Sequence, residues 1–175
     1  MSHARKNHWE DMYTKKMPTE VSWYQIEPTV SLDLIKSTGI NHAGKIIDVG
    51  GGASVLVDKL LDKGFQNLTV LDISPKSLSY AKERLGDRAA HVSWIEADVT
   101  EFDSPQKYDL WHDRAVFHFL TEENDRKKYI QNMDKALNPG GHVIIAAFST
   151  EGPLKCSGLD VERYSDDKFK NELGN

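Results

Sequence analysis

A glycine-rich segment between two apolar stretches constrains this chain more than any other feature. The apolar run Lys45–Val49 contains one acid, Asp48, and is followed by Gly50–Gly52. Apolar residues then recur at helical spacing, at Leu56, Val57, Leu60 and Leu61. This order predicts a buried strand, a tight glycine turn and a helix. Glycine permits positive φ and close approach of a ligand to the main chain, and the helix start offers unpaired N–H groups. The segment therefore predicts a small-molecule cradle at the carboxyl end of a strand in an open α/β sheet.

A second acid suggests what kind of molecule the cradle holds. The apolar run Leu68–Asp72 ends in Asp72, twenty residues after Gly52. A carboxylate at that offset suits the hydroxyls of a ribose. Two cofactor classes remain open at this point: a nicotinamide or flavin dinucleotide, and S-adenosyl-L-methionine.

The residues around the turn separate these two classes. A dinucleotide site needs a third glycine for close packing of helix on strand, and the branched Val55 stands there instead. Asp48 lies two residues before Gly50, where it would repel a pyrophosphate but attract an ammonium group. The turn therefore favours a ligand with a cationic amine and no phosphate.

Further motifs follow in order, and with them the sequence resembles the class I (seven-strand) S-adenosylmethionine-dependent methyltransferases of the type 11/12 group. The resemblance spans roughly residues 8–173, and Ser54 stands where that family usually has its third glycine. The matching segments are Asp48–Ser54, Asp72, Glu96–Val99, Tyr108–Ala115 and Leu137–Gly141.

The resemblance implies an α/β fold, Rossmann-like and doubly wound, with a mostly parallel sheet of five recognisable strands and helices on both faces. Residues 1–44 are expected to form a helical cap, and residues 45–175 the cofactor-binding core. The fourth strand is predicted at Tyr108–Trp111 and the fifth at His142–Phe148. In the helix that begins near Pro28, the core-facing residues are expected to be Val30, Leu34 and Ile35.

The resemblance also implies which residues bind the cofactor. Asp98 is expected to accept from the adenine amine and Val99 to offer its backbone amide to the ring, while Trp23 and Tyr24 wall the methionine end. The other expected contacts are Asp48, Gly50, Gly51, Gly52, Ser54, Asp72, Ile73 and Asp113.

Catalytic candidates lie after the fourth strand, which ends beside the transferable methyl group in this fold. His112, Asp113 and Arg114, together with His118, are candidates for holding or deprotonating a nucleophile. The alternatives are that Asp113 holds the methionine amine, that Arg114 pairs with a carboxylate and that His118 packs in the core. The asparagine or aspartate, two prolines and an aromatic ring of the adenine methyltransferases do not occur here, which disfavours a nucleic-acid base as substrate.

Composition excludes several other classes. The 175-residue chain has a net charge of −5 and no basic block, so nucleic acid is not an expected partner. No apolar run reaches the roughly 20 residues of a membrane span, and Met1–Lys6 lacks the apolar stretch of a secretory signal. One cysteine, Cys156, is compatible with a reducing cytoplasm. The seven histidines lack the spacing of metal ligands.

The predicted function is methyl transfer from S-adenosyl-L-methionine, with S-adenosyl-L-homocysteine as product, to a small molecule or a protein side chain. A non-catalytic cofactor-binding or partner subunit and an NAD-dependent oxidoreductase are the alternatives. No strand pair is recognisable after the fifth strand, so one edge of the sheet would be unpaired. We expect that edge to be covered by residues 149–175 or by a second copy in a homodimer.

Overall fold

A computed structural model describes residues 2–174, so Met1 and Asn175, the outer limits of the two predicted domains, lie outside it. Seven strands and six α-helices are described. The strands are β1 (Lys45–Val49), β2 (Asn67–Asp72), β3 (Val92–Glu96), β4 (Tyr108–Arg114), β5 (Leu137–Ala146), β6 (Lys155–Cys156) and β7 (Leu159–Asp160). The helices are α1 (Ser2–Lys15), α2 (Thr29–Ser37), α3 (Leu56–Asp62), α4 (Pro75–Leu85), α5 (Glu123–Ala136) and α6 (Asp166–Leu173).

The main sheet has five strands in the order β3-β2-β1-β4-β5, and every neighbouring pair is parallel. This confirms the predicted doubly wound α/β fold with five strands. The short strands β6 and β7 form a separate antiparallel hairpin, which the sequence analysis missed. Each of these strands has only two residues, too few to show an alternating pattern.

Alternate residues of each strand pack on opposite faces of the sheet, as the pleat requires. On one face Ile46 and Leu110 join a cluster with side chains of α2, α3 and α4. On the other face Ile47 and Trp111 join a cluster that includes α5, with Phe169 and Leu173 of α6 packed against it. Both faces are therefore covered, as is usual for parallel sheets.

Two helices begin at a serine that caps their first turn. The Oγ of Ser74 accepts from the N–H of Ser77 at 3.1 Å, and Pro75 is the first residue of α4. The Oγ of Ser165 accepts from the N–H of Lys168 at 3.2 Å and begins α6.

Helix α2 was predicted with the wrong face inward. Ile35 is buried, as expected, but Val30 is 69% and Leu34 43% exposed. Ser31 and Leu32 are buried instead. The inward side of the helix thus combines the apolar Leu32 and Ile35 with Ser31, whose hydroxyl contacts a histidine of β4.

Two strand boundaries also differ from the prediction. β4 continues to Arg114, three residues beyond the predicted end. β5 begins at Leu137, directly after α5, and an irregularity in its pairing with β4 takes up residues 138–141 before regular pairing resumes at His142. The extended β4 has the larger consequence, since it decides which way three candidate site residues face.

The segment after β5 does not cover the open edge of the sheet. Within residues 2–174, its backbone bonds to the strand region only beyond the end of β5, where the N–H of Tyr164 donates to the carbonyl of Phe148 at 2.9 Å. Val143, near the middle of β5, is 40% exposed. The expectation that residues 149–175 mask this edge is therefore wrong for the described part of the chain.

Candidate active site

The glycine turn after β1 is held against β2 by backbone and side-chain bonds. Gly50 has a φ of +71°, in the left-handed region that favours glycine, and its N–H donates to the carbonyl of Leu71 at 2.7 Å. The N–H of Gly52 donates to Oδ2 of Asp72 at 3.0 Å. A Cβ at Gly51 would lie 2.2 Å from Oδ2 of Asp48. Glycine at Gly51 is thus required for the Asp48 carboxylate to keep its position.

A pocket opens at the carboxyl ends of the parallel strands, where open α/β sheets bind ligands. The loops after β1 to β5 all contribute to its lining, and α1 and the segment between α1 and α2 close it from above. Predicted site residues in the lining are Trp23, Tyr24, Asp48, Gly50, Gly51, Ser54, Asp72, Ile73, Asp98, Val99, His112 and Arg114. Gly52 lies just behind this surface, where a Cβ would stand 2.0 Å from Oγ of Ser77 in α4.

Asp48 is positioned by a chain of hydrogen bonds that reaches α2. Its Oδ1 lies 2.7 Å from Nδ1 of His112, and Nε2 of His112 lies 3.0 Å from Oγ of Ser31. A carboxylate only accepts, so Nδ1 carries a proton and donates to Asp48, and Nε2 is paired with the Ser31 hydroxyl. His112 therefore has no free ring nitrogen for a substrate, and the geometry makes it a positioning residue for Asp48. Oδ2 of Asp48 is buried without a hydrogen-bond partner.

Asp98 presents a second unpaired oxygen on the opposite side of β2. Its Oδ1 accepts from the N–H of Thr100 at 2.9 Å and from Oγ1 of Thr100 at 2.8 Å. Oδ2 of Asp98 is buried without a hydrogen-bond partner. Arg5 of α1 lies beside this carboxylate, with Nη1 3.6 Å from Oδ1. The pocket thus contains two buried carboxylate oxygens that lack donors.

Asp72 has a structural task that the sequence did not indicate. Its Oδ1 accepts from the N–H of Ser74 at 2.8 Å, while Oδ2 accepts from Gly52. Burial raises the pKa of this carboxyl to about 6, and the bonds from Ser74 and Gly52 oppose that rise. Asp72 therefore ties the glycine turn to the start of α4, and its predicted contact with a ribose remains a prediction.

Aromatic rings from the N-terminal segment close the pocket opposite the sheet. The ring of Trp9 meets Trp23 edge-on at a centroid distance of 6.0 Å and Phe119 at 5.0 Å. Nη1 of Arg114 donates to the carbonyl of Trp23 at 3.2 Å. Arg114 thus fastens the cap to the end of β4, a role that the sequence analysis did not foresee.

Asp113 does not lie at the pocket, contrary to its prediction as a catalytic and cofactor-binding residue. It is fully buried, and its oxygens accept from the N–H groups of Val116 and Phe117 at 2.8 and 3.1 Å. Oδ2 also accepts from the Tyr129 hydroxyl at 2.7 Å. Burial raises the pKa of the Asp113 carboxyl to about 6. Because β4 continues past Trp111, strand alternation turns Asp113 towards α5 while its neighbours face the pocket.

Several residues in or behind the pocket lining were not among the predicted site residues. Ser31 carries no local sign of its role, because its partner His112 is 81 residues away in the chain. Trp9 and Phe119 could be recognised only as aromatic residues of unknown direction. The other unpredicted lining side chains include Arg5, Tyr13, Phe148 and Cys156, whereas His118, a predicted candidate, does lie in the lining.

Two features do not occur within residues 2–174. No helix there is long and apolar enough to cross a membrane. In the same range, no three histidine, cysteine, aspartate or glutamate side chains come together as a possible metal site.

The chain belongs to the methyltransferase-domain family, whose family model matches residues 47–143, more than half of its length. It is 35% identical over 130 residues to malonyl-[acyl-carrier protein] O-methyltransferase 1 of Ilyobacter polytropus, covering 71% of this chain and 47% of that protein. It is 30% identical over 114 residues to nodulation protein S of Rhizobium tropici, covering 65% of this chain and 47% of that protein. The chain thus spans about half the length of these relatives.

The fold is shared with solved structures. One is the N-methyltransferase NodS of Bradyrhizobium japonicum in complex with S-adenosyl-L-homocysteine, with a TM-score of 0.64 at 24% identity. That match covers 78% of this chain and 71% of the other. The predicted family and fold are therefore confirmed.

Proposed function

We propose that this chain binds S-adenosyl-L-methionine and transfers its methyl group to a small molecule or a protein side chain. The observation that carries the proposal is the pair of buried, unpaired oxygens, Oδ2 of Asp48 and Oδ2 of Asp98. Buried carboxylate oxygens without donors are costly, so a ligand with two donor groups is favoured here. The ammonium and the adenine amine of S-adenosyl-L-methionine are such groups.

The lining residues fit this cofactor in both charge and shape. Asp48 would hold the ammonium, Asp98 the adenine amine, and Gly50 and Gly51 allow the ligand to approach the backbone. When bound, the cofactor supplies a sulfonium methyl: the acceptor lone pair bonds to the methyl carbon, the C–S electron pair returns to sulfur, and any acceptor proton leaves to water. The chain itself mainly binds, aligns and excludes water.

A dinucleotide fits the pocket less well. Three carboxylates line it, those of Asp48, Asp72 and Asp98, and they would lie near a pyrophosphate. The guanidinium groups in the lining are those of Arg5 and Arg114, and they already bond to Asp125 and to the Trp23 carbonyl. The balance of charge therefore disfavours a phosphate-bearing ligand.

Titration calorimetry with S-adenosyl-L-homocysteine and with NAD tests the proposal. We expect micromolar binding of the first ligand and no measurable binding of NAD. Asp98→Asn should weaken S-adenosyl-L-homocysteine about tenfold, since it replaces a charged acceptor. Asp62→Asn, at an exposed ion pair with Arg88, is the matched control and should bind normally. Tight binding of NAD, or no effect of Asp98→Asn, would contradict the proposal.

A non-catalytic role is the alternative. The chain spans about half the length of its relatives, so part of what they use for catalysis can lie outside the matched region. Transfer of tritiated methyl to a panel of amines, phenols, carboxylates and peptides distinguishes the two. Cofactor binding without transfer to any of these would favour the binding-only role.

We also propose that a second copy covers the open edge of β5 in a homodimer. Val143 on this strand is exposed, and so are Val30 and Leu34 on α2, which contacts β5. An unpaired strand beside exposed apolar side chains is a surface that proteins usually cover. Sedimentation equilibrium should show a dimer that Val143→Lys dissociates, and a monomer at all concentrations would contradict this.

Two further expectations belong to the same proposal. Residues 1–44 act as the cap, and residues 45–175 carry the cofactor. The protein works in a reducing cytoplasm, which cell fractionation with an antibody would test.

A further inference from the structure

His118 stands out among the polar groups of the pocket. Its side chain is buried, and neither Nδ1 nor Nε2 has a hydrogen-bond partner in the described part of the chain. His112, in contrast, has partners on both nitrogens. Both residues line the pocket, but only His118 has ring nitrogens that are free to bind a ligand.

The surrounding residues fix the His118 ring firmly in place. It lies in the short 3-10 turn Phe117–Phe119, whose start is held by the bonds from Val116 and Phe117 to Asp113. Its carbonyl accepts from the N–H of Glu162 at 2.7 Å. The imidazole stacks on Phe148 at a centroid distance of 4.6 Å and meets Phe119 edge-on at 4.3 Å. The ring that carries the unpaired nitrogens is therefore packed against two aromatic side chains.

The charge state of His118 follows from the same burial. Removal from water lowers the pKa of the imidazole to about 4, so the ring is neutral near pH 7. A neutral imidazole has one N–H donor and one acceptor nitrogen. Each is costly when buried without a partner, so a bound molecule that pairs with either nitrogen gains affinity.

The surroundings of His118 also select the charge of that molecule. The carboxylates in the pocket lining, those of Asp48, Asp72 and Asp98, lie at the carboxyl ends of β1 and β2 and just after β3. His118 follows β4, among the rings of Phe119 and Phe148. An ammonium group beside His118 would lose its water, which the faces of aromatic rings replace only in part, and a protonated amine has no lone pair to accept a methyl group.

We propose that His118 binds the methyl acceptor, and that this acceptor is a neutral O–H or N–H compound with a flat apolar body. The inference rests on the proposed methyltransferase function and narrows its substrate class. The acceptor nitrogen of His118 takes the hydrogen bond from the O–H or N–H and orients the acceptor. A protonated lysine side chain is not expected to bind in this way.

Fluorine NMR titration tests the inference with four probes: 4-fluorophenol, 4-fluoroaniline, fluorobenzene and the 4-fluorobenzylammonium ion. Each is titrated with and without saturating S-adenosyl-L-homocysteine. We expect the phenol and the aniline to bind about tenfold more tightly than fluorobenzene, the gain of one buried hydrogen bond. The benzylammonium ion should bind most weakly.

Variants assign the preference to the ring nitrogen. His118→Phe should reduce the ratio between phenol and fluorobenzene to about one, while His118→Gln, which retains hydrogen-bonding groups, should preserve part of it. His42→Phe, an exposed histidine beside Phe65, is the control and should keep the full ratio.

The outcomes separate the inference from the function on which it rests. An unchanged ratio in His118→Phe, with normal affinity for S-adenosyl-L-homocysteine, overturns the inference alone. Preferred binding of the benzylammonium ion also overturns it. A folded wild-type chain that fails to bind S-adenosyl-L-homocysteine overturns the proposed function, and the inference with it.

Discussion

Asp48 and Asp113 are buried acids on adjacent strands, yet they lie in opposite kinds of environment. They occupy nearly the same level of the sheet, because Asp113 pairs in register with Val49, the neighbour of Asp48. Asp48 faces the pocket and keeps one oxygen without a partner. Asp113 faces α5, where both of its oxygens accept hydrogen bonds.

This difference extends to the groups around each acid. On the core side, Nε1 of Trp111 donates to the Tyr129 hydroxyl at 2.8 Å, and that hydroxyl donates to Asp113. On the pocket side, Asp48, Asp98 and His118 each keep buried polar atoms free. Complete bonding indicates a role in stability, whereas incomplete bonding at a pocket indicates a role in binding.

The largest expected effect is the loss of stability in Asp113→Ala. The substitution leaves the N–H groups of Val116 and Phe117 and the Tyr129 hydroxyl buried without their acceptor. We expect the free energy of unfolding to fall by about 3 to 4 kcal/mol, measured by urea denaturation. Asp103→Ala, at an exposed position, should change it by less than about 0.5 kcal/mol. A small loss of stability together with a large loss of cofactor affinity would place Asp113 in the site after all.

The second effect concerns affinity instead of stability. Asp48→Asn keeps an oxygen for His112 but removes the charge that attracts an ammonium group. We expect the dissociation constant of S-adenosyl-L-homocysteine to rise about 100-fold, with a change in unfolding free energy below about 1 kcal/mol. Asp33→Asn, exposed on α2, is the control. A change in the dissociation constant of less than about threefold would contradict the assignment of Asp48 to binding and Asp113 to stability.

The sequence predicted the location of Asp48 but not that of Asp113, and local structure explains this difference. The glycine turn and its spacing to Asp72 predicted the cradle and the place of Asp48 beside it, because these features are local in sequence. Asp113 was misassigned because it was predicted to lie in a loop after β4. In the longer strand, alternation of side chains turns it towards α5. The sequence has no glycine or proline between Trp111 and Arg114 to mark the end of the strand, and Asp113 itself is a residue type that favours turns.

The remaining errors came from contacts between distant residues. The apolar positions of α2 predicted Val30 and Leu34 inward, but the need of His112 for a partner brings Ser31 to the sheet. The unpaired nitrogens of His118 depend on Phe119 and Phe148, which surround its ring in the folded chain. No pattern in a single sequence states which groups will lack partners.

A third prediction tests the pocket side through its response to acid. The pKa of His118 is about 4 in the folded chain, below the ordinary 6.5, so the unfolded chain takes up this proton first as the pH falls. The stability from His118 is complete above pH 6.5 and is lost as the pH falls towards 4. Between pH 7 and pH 5 we expect wild type to lose about 2 kcal/mol from this residue, and His118→Phe to lose none of it.

Urea denaturation of both proteins at the two pH values measures this difference. Asp72 and Asp113 act with the opposite sign, because burial raises the pKa of each to about 6 and folding then favours the protonated form. Both acids are present in both proteins, so their contribution cancels in the comparison. Equal losses in wild type and His118→Phe would mean that the imidazole is solvated and does not belong with Asp48 and Asp98.

The smallest expected effect is at the edge of the pocket. There the guanidinium of Arg5 has one nitrogen that is bonded, like the groups of the core, and one that is not, like the groups of the pocket. Its Nη2 lies 2.7 Å from Oδ2 of Asp125, which joins α1 to α5, while Nη1 is buried without a hydrogen bond beside Asp98. Arg5→Ala should weaken the attachment of α1 by about 1 kcal/mol, seen as roughly fivefold faster amide exchange in that helix. Lys15→Ala, which removes an exposed pair with Asp11 in the same helix, should leave the exchange unchanged.

Unchanged exchange in both variants would mean that the contacts of Trp9 with Trp23 and Phe119 hold α1 on the pocket. Arg5 would then belong with the groups left free for the ligand, and Arg5→Ala should instead alter the affinity for S-adenosyl-L-homocysteine.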